Sequence, residues 1–272
     1  MSALRRTGAR PPLTRRPGTR LTQSRSAVPR PPQPRGAGAP RPQARRAGAR
    51  PPPGPHELIT VALPKGRLLE ESSALFERAL GVSPRELLHG TRRLAAYAPA
   101  AGLRFISIRA GDVASYVEHG AAEVGIAGLD VLREEPRDLY EPLDLGIGRC
   151  TIVVAWPKGA PPLPKGVAPR VATKYVSLAA RHFARKSLPA EIIELQGSIE
   201  VAPSLGLADA IVDITETGET LRANGLSITE KVLEVSARLI VNRVALKLHA
   251  ERLRRLVAAL RAAAAERTAG TC

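Results

Sequence analysis

Asp213, Thr215, Glu216, Thr217, Gly218, Glu219 and Thr220 fall in one short run, Asp209-Ala-Ile-Val-Asp213-Ile-Thr-Glu-Thr-Gly-Glu-Thr220-Leu-Arg222. A buried strand would deliver Asp213, and the hydroxyl-rich stretch around Gly218 would lead into a helix starting between Thr217 and Thr220. Backbone N–H groups at such a junction make a concave anion site, to which the threonine hydroxyls add donors. A sugar 5-phosphate fits that chemistry, with Asp213 accepting hydrogen bonds from ribose hydroxyls. An ordinary strand-turn-helix capped by threonine also accounts for the segment. Glu216 and Glu219 oppose an anion unless they point away or meet Mg²⁺. A second run, Leu63-Pro64-Lys65-Gly66-Arg67, sets a point charge and a bidentate fork on one tight turn, which suits either a polyanion or plain solvent. Arg109 and Asp130 each follow an expected strand and would line the same rim, or serve as exposed loop charges.

Short apolar runs alternate with stretches of helical period, which predicts an α/β protein with mostly parallel sheets. Strands are expected at Ile59–Leu63, Leu103–Ile108, Val124–Ala127, Leu143–Gly148, Thr151–Trp156, Val171–Thr173, Glu191–Leu195, Ala210–Ile214, Ile228–Val235 and Ala237–Val241. Helical spacing runs from Leu68 to Leu80 and stops at Gly81. A shorter helix presents Val113, Tyr116 and Val117 on one face, another covers Ser177–Lys186, and a short one surrounds Ile199–Leu205. The last helix carries Leu253, Leu256, Val257 and Leu260 as an apolar stripe. Gly120-Ala-Ala-Glu-Val-Gly-Ile and Gly206-Leu-Ala-Asp-Ala-Ile-Val echo one another, as two similar lobes facing a cleft would.

The 272 residues carry a net charge of +16, but the charge is unevenly placed. Residues 1–55 hold 13 of the 41 basic residues and no acidic one, so the remaining 28 basic against 25 acidic residues leave the body at only +3. The Arg-, Pro-, Ala- and Gly-rich stretch 1–55 is expected to be disordered, either an arm attracted to RNA or membranes by charge or a dispensable extension. It carries no apolar export core. A specific nucleic-acid binder is disfavoured by the near-neutral body. No apolar run reaches the roughly 18 residues of a membrane span. Cys150 and Cys272 form no disulfide framework, so a cytoplasmic compartment is expected. His56, His89, His119, His182 and His249 lack zinc-site spacing, and no side-chain metal site is expected. Gly146-Ile-Gly148 lacks the third glycine of a dinucleotide fingerprint and reads as a kink at a strand edge.

Seven collinear segments resemble the ATP phosphoribosyltransferase family. They are Leu63–Leu68, Tyr116–Ile126, Gly128–Leu132, Asp144–Cys150, Val171–Tyr175, Asp209–Arg222 and Ser236–Arg243. The resemblance implies transfer of phosphoribosyl from phosphoribosyl pyrophosphate to N1 of the adenine of ATP, with Mg²⁺ and release of pyrophosphate, as the first step of histidine biosynthesis. It implies two α/β lobes around a cleft, like the type II periplasmic binding proteins: residues 56–149 with 235–272 in one, 150–234 in the other. It places the phosphoribosyl loop on Asp213–Thr220, with Asp213, Lys65 and Arg67 catalytic, and with Arg109, Asp130, Thr215, Glu216, Thr217, Gly218, Glu219 and Thr220 binding substrate. The family often has a basic residue where Leu129 stands and a proline at Ala114. Its long form adds a C-terminal regulatory domain. The 29 residues after Arg243 fall short of the roughly 70 or more that such an ACT-like domain needs, so the short form is implied. That form works with a regulatory subunit related to histidyl-tRNA synthetase, in a hetero-octamer. The alternative is a small-ligand binding module without catalysis, which needs no hydroxyl-rich phosphate loop.

Overall fold

A computed structural model describes residues 58–89, 94–161, 164 and 166–269. The expected disordered stretch 1–55 lies outside the described residues, as does Cys272. The first elements are β1 (Ile59–Pro64), α1 (Arg67–Leu80), α2 (Pro84–Leu88), β2 (Ala95–Ala98), β3 (Leu103–Ile108), α3 (Val113–Glu118), β4 (Val124–Gly128), α4 (Leu129–Glu134) and β5 (Leu139–Asp144). There follow β6 (Cys150–Pro157), β7 (Arg170–Thr173), α5 (Val176–Arg185), β8 (Glu191–Glu194), β9 (Ala210–Thr215), α6 (Glu219–Ala223) and β10 (Leu226–Val235). The chain continues through β11 (Ala237–Asn242), α7 (Arg243–Leu248) and α8 (Ala250–Ala269).

The strands form two sheets, ordered β2-β3-β1-β4-β11-β5 and β10-β6-β9-β7-β8. Each sheet is mixed: β1 with β3 and β4, and β7 with β8 and β9, are parallel. The pairs made by β11, β2, β6 and β10 are antiparallel, which corrects the expectation of mostly parallel sheets. β11 arrives from the far end of the chain and β6 begins the second sheet against the direction of β9. Local periodicity carries no information about either direction.

β1 is buried throughout, and apolar apart from Thr60, because helices cover both of its faces. On one face, α1 and α8 bury Leu75, Phe76, Leu253 and Leu260 against Val61, Leu63 and Leu239, and Phe76 meets Phe105 edge-on at 5.1 Å between ring centres. On the other, Val113, Ala114 and Val117 of α3 pack on Ala62 and Ile240. Tyr116, expected on that same inner face, is 43% exposed. The second sheet buries Leu178, Ala179 and Phe183 of α5 on one side, and Ile199, Ile211 and Leu221 on the other. Two crossings join the lobes. One leaves β5 at Asp144 and enters β6 at Cys150, so the expected strand Leu143–Gly148 ends at Asp144, with Gly146 and Gly148 at positive φ beyond it. The other is the step from Val235 to Ala237. The Asp144 carboxylate ties the crossings together, accepting from the Gly146 amide and the Ser236 hydroxyl, both at 2.8 Å, and meeting Arg238 at 3.1 Å.

Candidate active site

The cationic corner lies where β1 becomes α1. Gly66 sits at φ +79°, a backbone shape that side chains resist, and it brings Lys65 and Arg67 onto one exposed turn. The Lys65 amide donates to the Ile108 carbonyl at 2.9 Å, so Lys65 and Arg109 sit at the ends of adjacent parallel strands. The Arg67 guanidinium donates to the Glu216 carboxylate across 149 positions of sequence, and its Nε lies 3.4 Å from Glu71 Oε1. The other Glu71 oxygen accepts from the Gly148 amide at 2.7 Å, which fastens the crossing loop to α1. The first corner and the hydroxyl-rich loop therefore meet.

That loop bounds a hollow of about 510 Å³ lined by Asp213, Thr215, Glu216, Thr217, Glu219 and Thr220 among others. Asp213 stands in β9, half-buried, and its own carboxylate accepts from the Ile214 amide at 2.8 Å. Burial raises its pKa above the ordinary aspartate value, against the lowering pull of the Ile214 amide and of Lys174. Thr215 Oγ1 accepts from the Gly218 amide at 2.8 Å and Thr217 Oγ1 from the Glu219 amide at 3.4 Å. Each hydroxyl thus uses a lone pair to shape the turn and keeps its O–H to donate to an anion. Gly218, at φ +75°, is itself the cap of α6, so the helix starts at Glu219, within the expected range, and glycine rather than threonine caps it. α6 has only five residues. An anion placed here would meet hydroxyls and loop amides, with little contribution from a helix dipole.

Asp130 lies in the first turn of α4 and accepts from the Tyr175 hydroxyl at 2.9 Å. Arg109 is exposed, and its carbonyl accepts from the Asp112 amide at 3.0 Å. Neither Arg109 nor Lys65 lines the 510 Å³ hollow, nor a neighbouring one of about 410 Å³ that shares Glu216 and is walled by Asp144, Arg149, Cys150 and Arg238. Tyr175, Glu71 and Cys150 were not anticipated as site residues. Glu71 stands one helical turn after Arg67, which is the only local signal of its contact, and nothing local pairs Tyr175 with Asp130. Burial, aided by Asp130, pushes the Cys150 thiol up to about 11, while Arg67 and Lys174 oppose. Groups from both lobes thus converge on one thiol.

The HisG family, ATP phosphoribosyltransferase, matches residues 109–262. A relative from Anaeromyxobacter dehalogenans (strain 2CP-1), named ATP phosphoribosyltransferase, is 86% identical over 214 residues, 79% of this chain and 97% of its own length. The chain belongs to the ATP phosphoribosyltransferase family. A solved structure described as the ATP phosphoribosyl transferase (HisG:HisZ) complex from Thermotoga maritima superposes with a TM-score of 0.66 at 32% identity, covering 77% of this chain and all of that one. The periplasmic aliphatic sulphonate binding protein SsuA from Escherichia coli superposes at 0.52 with 14% identity, covering 79% of this chain and 75% of that one. That likeness shows the fold alone: two α/β lobes of the periplasmic-binding-protein kind, as expected. Among the described residues, no group of three or more His, Cys, Asp or Glu could hold a metal ion, and no helix is long and apolar enough to cross a membrane.

In this ATP phosphoribosyltransferase family member, the two positions expected from the resemblance to differ from common family usage are both packed. Leu129 joins the apolar core of the second lobe beside Tyr175 and Leu178, and Ala114 lies fully buried under β4. Leucine at 129 therefore makes an apolar contact between the lobes.

Proposed function

We propose that this chain transfers the phosphoribosyl group of phosphoribosyl pyrophosphate to N1 of the adenine of ATP, giving N1-(5-phosphoribosyl)-ATP and pyrophosphate. The observation that carries the site assignment is the Arg67–Glu216 contact, which closes the cationic corner onto the hollow beside Asp213. In this reading the 5-phosphate sits against the hydroxyls of Thr215, Thr217 and Thr220, near Gly218 and Glu219, while Asp213 accepts from the ribose hydroxyls. The N1 lone pair forms the N–C1 bond as the bond from C1 to the pyrophosphate oxygen breaks, and C1 inverts. No side-chain nucleophile takes part, so the rate comes from alignment and fixed charge. Lys65, Arg67 and Arg109 neutralise the departing diphosphate, and Asp130 faces the nucleotide.

Mg²⁺ characteristically takes one or two carboxylates together with substrate phosphates. Asp213 and Glu216, whose residues line the same hollow, are suitable donors. The ion would supply charge neutralisation at the leaving pyrophosphate. The lobe boundaries assigned from sequence, 56–149 with 235–272 and 150–234, are proposed with one shift, Val235 going to the second lobe, where it pairs with Cys150. Also proposed are a cytoplasmic location, suited to ATP as substrate, and a HisZ-type regulatory subunit related to histidyl-tRNA synthetase, in a hetero-octamer that carries histidine feedback. The Thermotoga maritima neighbour, solved as a HisG:HisZ complex, supports the partner. The test mixes purified protein with ATP, phosphoribosyl pyrophosphate and Mg²⁺, with and without that subunit, and follows adduct absorbance and pyrophosphate release. Release that requires both substrates is expected. Release without ATP, or none at all in the assembled complex, overturns the reading.

A further inference from the structure

We infer that Tyr175 is a positioning residue for the nucleotide half of this transfer, its hydroxyl reaching from the second lobe to fix the direction in which the Asp130 carboxylate of the first lobe faces. The inference rests on the function proposed above, and it names how one part of that site is held. Two independent features locate the carboxylate. Tyr175 Oη donates to Asp130 Oδ2 at 2.9 Å. The other oxygen, Oδ1, folds back over Gly128 so closely that a β-carbon there would lie 2.1 Å from it. One oxygen is thus held by a donor and the other is admitted by a missing side chain.

The donor itself has little freedom. Tyr175 is 3% exposed, its amide donates to Thr173 Oγ1 at 2.8 Å, and Lys174 Nζ lies 4.8 Å from its ring centre. Burial raises the phenol far above the ordinary tyrosine value, so the group remains a neutral donor at working pH. The helix carrying Asp130 is also fastened along its length: Leu129 enters the core around Tyr175, and the Glu134 carboxylate accepts the Ser177 and Leu178 amides at 2.7 and 3.0 Å. A carboxylate only accepts, which suits the donors of a nucleoside, namely the adenine amino group and the ribose hydroxyls. The sugar-phosphate loop lies on the other lobe, so misdirecting Asp130 should injure nucleotide use first.

The test compares Tyr175→Phe, Gly128→Ala, Asp130→Asn and the double variant Tyr175→Phe/Asp130→Asn in the full chain. Tyr175→Phe is expected to lower kcat/KM for ATP about tenfold, the scale of one hydrogen bond to a charged group, and to leave KM for phosphoribosyl pyrophosphate within about twofold. In the Asp130→Asn background it should add nothing. Equal losses for both substrates, or a loss that persists undiminished in that background, overturn the inference. Should Tyr175→Phe not fold, Gly128→Ala decides: it keeps the tyrosine but evicts Oδ1, and unchanged use of ATP by it overturns the proposal. ATP affinity is measured calorimetrically on the same proteins. If even the wild type makes no product, the function proposed above falls, yet affinity lost in Tyr175→Phe supports the positioning role and affinity retained removes it.

Discussion

At Asp213, the proposed role and stability pull in opposite directions. Its carboxyl is pushed above the ordinary aspartate value of 3.8 chiefly by burial, so ionising it in the folded state costs free energy that the unfolded chain does not bear. Stability from this group is therefore greatest below pH 3.8 and declines as pH climbs through the raised folded value. Asp213→Asn is expected to lose about 2–4 kcal/mol of transition-state stabilisation, the scale of one well-placed polar contact, yet to melt higher than wild type at neutral pH. That gain should fade on acidification. Turnover together with melting at pH 7 and pH 3.5 checks it, and normal turnover would remove Asp213 from the chemistry. Asp213 and the threonines could be picked out from sequence because strand, acid, hydroxyls and glycine follow one another directly. Tyr175 could not, since its partner Asp130 is 45 positions away and a tyrosine after a strand most often packs.

Among elements, the loop and the helix ends offer the sharpest tests. Gly218→Ala imposes a side chain at φ +75°, with its β-carbon 3.1 Å from Arg222 Nη1 and 3.2 Å from Ile228 Cδ1. KM for phosphoribosyl pyrophosphate should rise more than KM for ATP, and the reverse order would misplace the loop. Glu134 caps α5 from another helix, so Glu134→Ala should cost about 1 kcal/mol of stability, as lost caps do, measured by denaturant unfolding. Glu230 is held below the usual 4.5 first by Lys186 and then by His182, with His182 Nε2 at 2.7 Å. A lowered carboxylate stabilises above its unfolded value and loses that contribution as pH falls through the folded one. Melting should therefore drop on acidification below about 4.5, and Glu230→Gln should flatten the drop; an identical slope in the variant would discount the pair. The long amphipathic helices and the doubly covered β1 were legible because burial imposes a period. β5 was misplaced because it is an edge strand with Tyr140 exposed, which blurs its alternation, and α4 was missed because six residues span under two turns.

For the whole molecule, the two-lobed class was readable from alternating elements and from the echo between the Gly120 and Gly206 segments. The sheet directions were not, since β11 reaches β4 and β5 from about a hundred positions later. Gly125 shows how tightly the first lobe closes: a β-carbon there would sit 2.7 Å from Val117 Cγ2 and 2.8 Å from Val113 Cγ1. Gly125→Ala should destabilise by about 1–3 kcal/mol, as overpacked cores do, with a lower denaturant midpoint as the readout. Cys150 and Val235, the residues by which the chain enters and leaves the second sheet, are direct register partners on neighbouring antiparallel strands. The second lobe is thus an uninterrupted cassette whose first and last strands, β6 and β10, are paired with each other. Because those two end residues face each other across one strand pair, both connections leave the second lobe side by side, and a change that loosens one end of the pair would loosen the other.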